Sequence, residues 1–342
     1  SFGGDSPVIV LLNKQREHPF DLNRPQLQAK FPGMIKAYLS TECADPPQQL
    51  DRLKECIARE IGELKGISDG FPEEWFAIKD RLASMPENYL TFEEYQKICE
   101  ELGESLPSDQ DRLAEYLHRL GVALNYKEDP RLRDMHVLNP RWVTEGIYSI
   151  LNARALTESK GELELSALSS ILDPAKYPPA RHAFLLNLMR KFHLCFEFPD
   201  REGHYFLPDL ADKNEPVGLE EFSPAKGLNF RYEYESLHEG IVPSFITRTY
   251  ILSEGRPRWR FGVILAFEGG RALVRGNISD RQISITVIGP SAEGRRRLLA
   301  IIRSHFEEIH RQLTTPPKAL VRLPEAPEIA IPYHEVKVCE NN

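Results

Sequence analysis

The amino-acid sequence predicts a multidomain α+β protein, and three observations carry this prediction. The apolar run from Ser6 to Leu12 is typical of a parallel strand buried on both faces. Amphipathic helices with well-marked ends dominate residues 72–210, and alternating strands followed by one long helix occupy residues 211–342. A length of 342 residues with 41% hydrophobic content is enough for two or three cored domains.

Composition narrows the class of protein. No apolar run approaches the roughly 18–20 residues of a membrane span, and residues 1–4 resemble no signal peptide, so we expect a cytoplasmic protein. The five cysteines are odd in number and form no C-x-x-C pair, which argues against a disulfide framework or a zinc ribbon. The net charge of −8 opposes nucleic-acid binding over the whole surface.

Positive charge is nevertheless concentrated in residues 248–303. This segment holds eleven arginines, no lysine and four acidic residues. Two interpretations stay open: a solvated face balanced by acids elsewhere in the chain, or a surface that faces a partner or a nucleic acid.

Residues 1–66 are predicted to be the tail of an α/β domain. After the first strand, the pattern predicts a helix over 24–31, a strand over 34–39 and an amphipathic helix over 48–64.

Residues 72–210 are predicted to be a helical, winged-helix-like domain. Thr91 and Glu94 form a capping box that opens one helix. Gly121 ends another helix, and short strands follow over 122–126 and 135–138. Asn139 then caps a helix that has Pro140 in its first position. A helix over 181–192 and strands over 194–198 and 204–207 complete this part.

Residues 211–342 are predicted to be a mixed α/β subdomain whose antiparallel sheet is covered on one face. The strand over 228–234 alternates strictly between apolar and polar residues. A helix over 242–252 follows, then strands over 259–267, 272–275 and 283–287, and an amphipathic helix over 293–313 closes the pattern.

The block LHRLGVALNYKEDPRLRDMHVLNPRWVTEGIYSIL, residues 117–151, resembles the COR domain, which follows the Roc GTPase domain in Roco proteins. The resemblance lies in a Leu-Gly strand, an Asp-Pro loop and an Asn-Pro-x-Trp helix start. It implies that residues 1–66 are the C-terminal half of a Ras-like Roc domain. Residues 72–210 and 211–342 then correspond to the N-terminal and C-terminal COR subdomains.

The end of the first strand resembles the guanine-recognition motif Asn-Lys-x-Asp of GTPases. Asn13 and Lys14 match it, but Arg16 stands in place of the aspartate. Arginine carries only hydrogen-bond donors, so it cannot accept the protons of the guanine edge. The second base motif corresponds to Ser40-Thr41-Glu42 and lacks its lysine. We therefore expect a degenerate or weak remnant of the base site at these residues.

The resemblance implies a regulatory and signalling role. In Roco proteins the N-terminal COR subdomain packs on Roc, and the C-terminal subdomain forms homodimers whose association depends on the nucleotide that Roc holds. The complete Roc domain would bind GTP or GDP with Mg²⁺, and leucine-rich repeats or other domains would lie outside this chain. The Roc-facing position falls on His136, beside Trp142. A purely structural role in the core is the alternative for both Trp142 and Val137.

Aromatic and arginine side chains are common interface anchors, so the C-terminal subdomain is the predicted dimer surface. The candidates are Tyr250, Arg258, Trp259 and Arg260.

Two other functional classes are open: a structural scaffold with a degenerate GTPase half, and a winged-helix nucleic-acid binder. The helix from Asn139 offers the latter only Arg141 against Glu145. Metal sites are not expected, since His305 and His310 are about 140° apart on a helix with 3.6 residues per turn.

Nucleotide hydrolysis by this chain alone is not expected. The sequence contains no G-x-x-x-x-G-K-[ST], and therefore no backbone cradle, lysine or Mg²⁺-binding hydroxyl for the phosphates. Purified residues 1–342 should give no GTP turnover above buffer in a phosphate-release assay. Turnover that persists at constant specific activity through successive purification steps would refute this prediction.

Overall fold

A computed structural model describes residues 6–13, 20–43, 49–63, 70–323, 326–333 and 335. The chain forms two compact units, residues 1–73 and 74–342. Helices and antiparallel sheets account for most of the described residues, which agrees with the predicted α+β class. Lys14 and Arg16 lie outside the described residues.

The first unit contains a two-stranded parallel sheet and two helices. The strands are β1 (Val8–Leu12) and β2 (Ile35–Ser40), and the helices are α1 (Arg24–Lys30) and α2 (Leu50–Gly62). Asn23 begins α1 by accepting a hydrogen bond from the Gln26 N–H at 3.1 Å. The expected burial of β1 on both faces is wrong: Val8 and Leu11 are 38% and 40% exposed. The reason is that β2 is the only strand paired with β1 among the described residues.

The second unit begins with a helical subdomain, the name used here for residues 74–210. Its helices are α3 (Glu73–Ala83), α4 (Phe92–Glu101), α5 (Pro107–Arg119), α6 (Pro140–Leu151), α7 (Arg154–Glu158), α8 (Leu168–Ile171) and α9 (His182–Lys191). Its strands are β3 (Tyr89–Thr91), β4 (Leu124–Asn125), β5 (Met135–Val137), β6 (Glu162–Glu164), β7 (Phe196–Glu197) and β8 (His204–Phe206). The strands form two antiparallel sheets, in the orders β3-β5-β4 and β6-β8-β7.

Both predicted helix starts are present in the helical subdomain. The Thr91 hydroxyl accepts from the Glu94 N–H at 3.2 Å, and the Glu94 carboxylate accepts from the Thr91 N–H at 2.7 Å. Asn139 Oδ1 accepts from the Arg141 N–H at 3.1 Å. These caps satisfy amide donors that the first helical turn leaves free.

The sheet subdomain, the name used here for residues 211–333, contains one seven-stranded antiparallel sheet. Its elements are β9 (Leu228–Glu233), α10 (Ile241–Arg248), β10 (Arg258–Trp259), β11 (Gly262–Phe267), β12 (Gly270–Asn277), β13 (Gln282–Ile288), α11 (Ala292–His310), β14 (Lys318–Leu323) and β15 (Ala326–Pro332). The strand order is β10-β11-β12-β13-β9-β14-β15. α10 and α11 pack on one face, where Phe245 and Phe306 stack at 4.1 Å.

Two expectations for this subdomain are corrected, and two strands are additional to the predicted pattern. The predicted strand over 259–267 is two strands, because the chain reverses at residues 260–261 and pairs Trp259 with Gly262. The second face of the sheet is also covered, since Phe222 and Trp259 pack there on Ile264 and Leu273. Strands β14 and β15 were not predicted at all.

Gly262 is required at the β10–β11 turn. A Cβ atom built there would lie 2.2 Å from the indole ring of Trp259. Gly262→Ala should therefore displace that ring and lower the free energy of unfolding by about 1–3 kcal/mol, as overpacking does. Chemical denaturation followed by tryptophan fluorescence measures the change.

Gly240→Ala is the matched control, because no atom lies within 4 Å of the added Cβ and φ is −74°. This control should leave stability nearly unchanged. Equal stabilities of the two variants would contradict the steric argument.

Candidate functional site

The remnant base motifs lie together at the carboxyl ends of β1 and β2. Leu12 pairs with Ser40 in the parallel register, and the Thr41 N–H donates to the Leu12 carbonyl at 2.8 Å. Asn13 Oδ1 accepts from the Cys43 N–H at 3.2 Å, which fastens the two loops to each other. The structure therefore brings Asn13, Ser40 and Thr41 into one place.

The two residues that follow Ser40 are largely withdrawn from solvent. Thr41 and Glu42 are both buried. Within the described residues, no hydrogen-bond partner is found for Thr41 Oγ1. A hydrogen bond thus joins the two loops at this edge, and Glu42, at the position where the resemblance implies a lysine, is buried.

His136 on β5 is fully buried in the helical subdomain. Its ring stacks on Tyr95 at 4.3 Å and on Phe92 at 5.4 Å, and its Nε2 is 3.1 Å from Asn125 Nδ2. Burial lowers the pKa of His136 to about 4. The imidazole is therefore neutral at physiological pH and acts as an aromatic packing element.

Trp142 on α6 is also fully buried. The indole N–H donates to the Lys176 carbonyl at 2.9 Å, and the ring lies 5.2 Å from both Tyr89 and Tyr177. The Tyr177 hydroxyl donates back to the Trp142 carbonyl at 2.8 Å. Both His136 and Trp142 are buried, so neither side chain can contact a neighbouring domain directly in this conformation. Their assignment to a Roc–COR interface stays a prediction.

The four predicted dimer residues have different environments. Trp259 is buried under the second sheet face, and Arg260 pairs with Glu239 at 2.7 Å. Tyr250 and Arg258 instead lie at the junction of the two subdomains. Their assignment to a dimer interface stays a prediction, although Trp259 is already used for packing within this chain.

This junction is a shared aromatic core that sequence reasoning missed. Phe196 and Phe206 of the helical subdomain belong to the same buried cluster as Ile241 and Phe245 of α10. Tyr250 stacks on Phe196 at 5.0 Å between ring centroids. The phenylalanines at 196, 198 and 206 could have indicated an apolar hairpin face. The neighbouring sequence, however, does not indicate the element on which that face packs.

Arg258 packs at the edge of this junction, against Phe196 and Ser253. Its guanidinium carbon lies 5.4 Å from the centre of the Phe196 ring, and its Nε donates to Ser253 Oγ at 2.8 Å. Burial lowers the pKa of this guanidinium. Ile251, next to Tyr250, is 64% exposed and offers an apolar surface beside the junction.

The arginine-rich segment is balanced by acids from elsewhere in the chain, as the first of the two interpretations proposed. Several arginines pair with carboxylates outside residues 248–303: Arg248 with Glu308, Arg260 with Glu239, Arg271 with Glu221, Arg275 with Glu215 and Arg303 with Glu307. Much of the local positive charge is thereby neutralised.

Neither a metal-binding cluster nor a membrane-spanning helix is present among the described residues. In that part of the chain, no group of three or more His, Cys, Asp or Glu side chains is arranged to hold a metal ion. Nor does any helix there combine the length and apolar character needed to cross a membrane.

The buried His136 makes stability depend on pH. An unfolded histidine titrates near pH 6.5, so between that value and about 4 the unfolded chain binds more protons than the folded chain. The free energy of unfolding should be unaffected above about pH 7 and fall by on the order of 3 kcal/mol as pH decreases to 4. His136→Phe keeps the stacking but removes this titration.

Chemical denaturation at each pH should therefore give a shallower acid slope for His136→Phe than for the wild type, with parallel curves above pH 7 as the internal control. Burial also lowers the pKa of His310 to about 4, so some acid slope should remain in the variant. Identical acid slopes for the two proteins would contradict the assignment.

Comparison with known proteins connects this architecture to one family. The family described as "C-terminal of Roc, COR-A domain" matches residues 72–211, and "C-terminal of Roc, COR-B domain" matches residues 225–339. The Roc-COR-CHAT protease of Runella zeae is 26% identical over 322 residues, covering 92% of this chain and 33% of that protein. The probable serine/threonine-protein kinase pats1 of Dictyostelium discoideum is 24% identical over 190 residues, covering 52% of this chain and 6% of the kinase.

A solved structure is similar as well. The Roco2 RocCORdC structure of Methanosarcina barkeri bound to GDP is 40% identical, with a TM-score of 0.51, and the match covers 61% of this chain and 65% of that one. The chain thus spans a third or less of the two curated relatives and about two thirds of the Roco2 chain. Two adjacent COR matches, together with the Roc-COR-CHAT relative and the Roco2 RocCOR structure, show that this chain belongs to the Roco family of Roc–COR proteins.

Proposed function

We propose that this chain is the dimerisation and regulatory part of a Roco-type GTP-binding protein. It couples homodimer association, through the sheet subdomain, to the nucleotide state and GTPase activity of the adjacent Roc domain. The observation that carries the proposal is the shared core of Phe196, Phe206 and Phe245, which joins the two COR subdomains. A displacement of the helical subdomain is transmitted to the sheet subdomain because close-packed cores deform little.

Several features support residues 1–66 as the second half of a Roc domain. The parallel strands β1 and β2 bring Asn13 beside Ser40 and Thr41, and the Asn13–Cys43 hydrogen bond has the loop-holding role of a base-motif asparagine. The Runella match covers more of the chain than the two COR domains occupy, so it extends into this region. The exposed side chains of β1 suit coverage by further Roc elements.

Guanine nucleotide with Mg²⁺ belongs, in this proposal, to the complete Roc domain. The Roco2 relative is bound to GDP, which supports the nucleotide class. Arg16 and Glu42 replace the acceptor and the lysine of the base motifs. We therefore expect weaker guanine selectivity than a complete Asn-Lys-x-Asp motif provides.

The dimer surface is proposed to lie on the sheet subdomain. Tyr250 and Arg258 are partly buried at its junction with the helical subdomain, and Ile251 is exposed beside them. Trp259 would support this surface from beneath. The proposed dimer contact is thus close to the shared core that joins the two subdomains, which supports a coupling between them.

A non-catalytic scaffold is the second candidate, favoured by the Arg16 and Glu42 substitutions. A scaffold would dimerise without regard to nucleotide, whereas a switch needs different affinities in two states. Nucleic-acid binding is not favoured, because the ion pairs of the 248–303 segment occupy arginines that phosphates would need.

The test uses the protein extended through its whole Roc domain. Sedimentation velocity should give dimer dissociation constants that differ by about fivefold or more between GDP and a non-hydrolysable GTP analogue, the range of ordinary allosteric coupling. Phe196→Ala should remove much of this difference while nucleotide binding remains. Equal dimerisation in both nucleotides would support the scaffold instead.

Phe192→Ala is the matched control, since Phe192 is 52% exposed at the end of α9 in the same subdomain. Loss of nucleotide dependence in this control as well would show that the effect is not specific to the shared core. Circular dichroism of each variant checks that it is folded.

A further inference from the structure

A cavity of about 330 Å³ lies between the helical and sheet subdomains, separate from the remnant base motifs. Five of its lining residues are arginine or histidine. The helical subdomain contributes Arg131, Arg190 and His193, and the sheet subdomain contributes Arg248 and His305. Two carboxylates, those of Glu197 and Glu308, also line it.

Two of the arginines are committed to fixed partners. Arg131 donates through Nε and Nη2 to the Asp129 carboxylate at 2.9 and 2.7 Å, and these bonds hold the pKa of Asp129 at about 2. Arg190 donates to Glu197 at 2.8 Å, and the other Glu197 oxygen accepts from the Gly203 N–H at 3.0 Å. Both pairs are built into the local fold.

Arg248 is held less firmly. It donates from Nη1 to Glu308 at 2.7 Å, but the Glu308 side chain is 51% exposed while that of Arg248 is 15% exposed. Over the described residues, Arg248 Nε is buried and has no hydrogen-bond acceptor. A carboxylate this exposed contributes at most about 1 kcal/mol, whereas a buried guanidinium N–H without an acceptor is costly.

The two histidines add donors beside this arginine. His193 follows α9 and His305 lies on α11, so each subdomain supplies one ring. Burial lowers the pKa of both rings, which are therefore neutral at pH 7, and each still has one N–H to donate. Both rings are within electrostatic reach of Arg248 and Glu308.

We propose that this cavity binds a small oxyanion of the phosphate class, held by Arg248, His193 and His305. A phosphate group offers more acceptor oxygens and more charge than the single carboxylate of Glu308, so it competes with Glu308 for the terminal N–H groups of Arg248. Glu308 is then an internal competitor for Arg248. Because the donors come from both subdomains, the bound oxyanion joins them at the same junction as the shared core.

The proposal is tested on the full 342-residue chain by calorimetric titration with inorganic phosphate at constant ionic strength, which removes general screening effects. Glycerol 3-phosphate is titrated in parallel to distinguish free phosphate from a small organic phosphate. We expect saturable binding in the micromolar to millimolar range. Tighter binding of glycerol 3-phosphate identifies an organic phosphate, and equal or weaker binding identifies the free anion.

Two substitutions have opposite expected effects on the affinity for phosphate, and a third should leave that affinity unchanged. Arg248→Gln should weaken binding by about tenfold or more through the loss of a charge-assisted contact. Glu308→Gln should strengthen it by roughly threefold or more, because the competing charge is removed. Arg297→Gln is the matched control, since Arg297 also lies in a glutamate pair on α11 but does not line the cavity.

The NMR signals of the histidine rings report phosphate binding in the wild-type chain, so this measurement requires no substituted protein. The His193 and His305 signals should move with phosphate concentration in the wild-type chain, while those of exposed His238 stay in place. Absence of saturable binding up to roughly 50 mM, far weaker than a millimolar site, would overturn the proposal. Binding unaltered by both Arg248→Gln and Glu308→Gln would overturn it equally.

Discussion

The insertion of Phe196 and Phe206 into the core of the sheet subdomain is the contact on which the second unit depends. A buried phenylalanine contributes about 1.5–3 kcal/mol from removal of its surface from water, and the cavity left by its loss costs more. The ring of Tyr250 and the guanidinium of Arg258 cover Phe196 from the other side. Because one cluster serves both subdomains, neither can rearrange at this point without disturbing the other.

Polar contacts fix the orientation of elements within the helical subdomain. Asn139 both caps α6 and donates from Nδ2 to Asn88 Oδ1 at 2.9 Å, so the start of the helix is tied to the entry of β3. Further along α6, Gly146 allows close approach of Tyr177, since an added Cβ would lie 2.8 Å from its ring. These contacts hold the Asn139–Trp142 turn against the start of β3.

Charge is arranged so that arginine excess in one segment meets acid excess in others. Glu215 and Glu221 precede β9 and pair with Arg275 and Arg271 on β12. The pairs are exposed and contribute little stability one by one. Their effect is on recognition, because a surface of paired arginines attracts polyanions less than the sequence suggests. Arg248, whose carboxylate partner is half exposed, differs from the fixed pairs of Arg131 and Arg190.

Helix caps and strand alternation could be predicted from the sequence because each depends only on residues that are close to one another in the chain. The Thr91–Glu94 capping box, the Asn139 cap and the alternation of β9 depend on hydrogen bonds or periodicity within about one helical turn or one strand. The motif match named Asn13, Ser40 and Thr41 as candidates, and the fold brings these residues to one sheet edge, where Asn13 Oδ1 accepts from the Cys43 N–H.

The sequence alone could not predict which surfaces pack against each other when segments distant in the chain come together. The apolar alternation of residues 259–267 is the same for one long strand and for two strands joined at residues 260–261. A histidine beside a loop gives no local sign that Tyr95 will cover it. The spacing of Phe196, Phe198 and Phe206 predicts a hairpin with an apolar face, but it does not predict that this face packs against α10 of the sheet subdomain. Periodicity and capping are encoded within a short segment, whereas burial is a property of the surfaces that pack together, and only the folded chain brings those surfaces into contact.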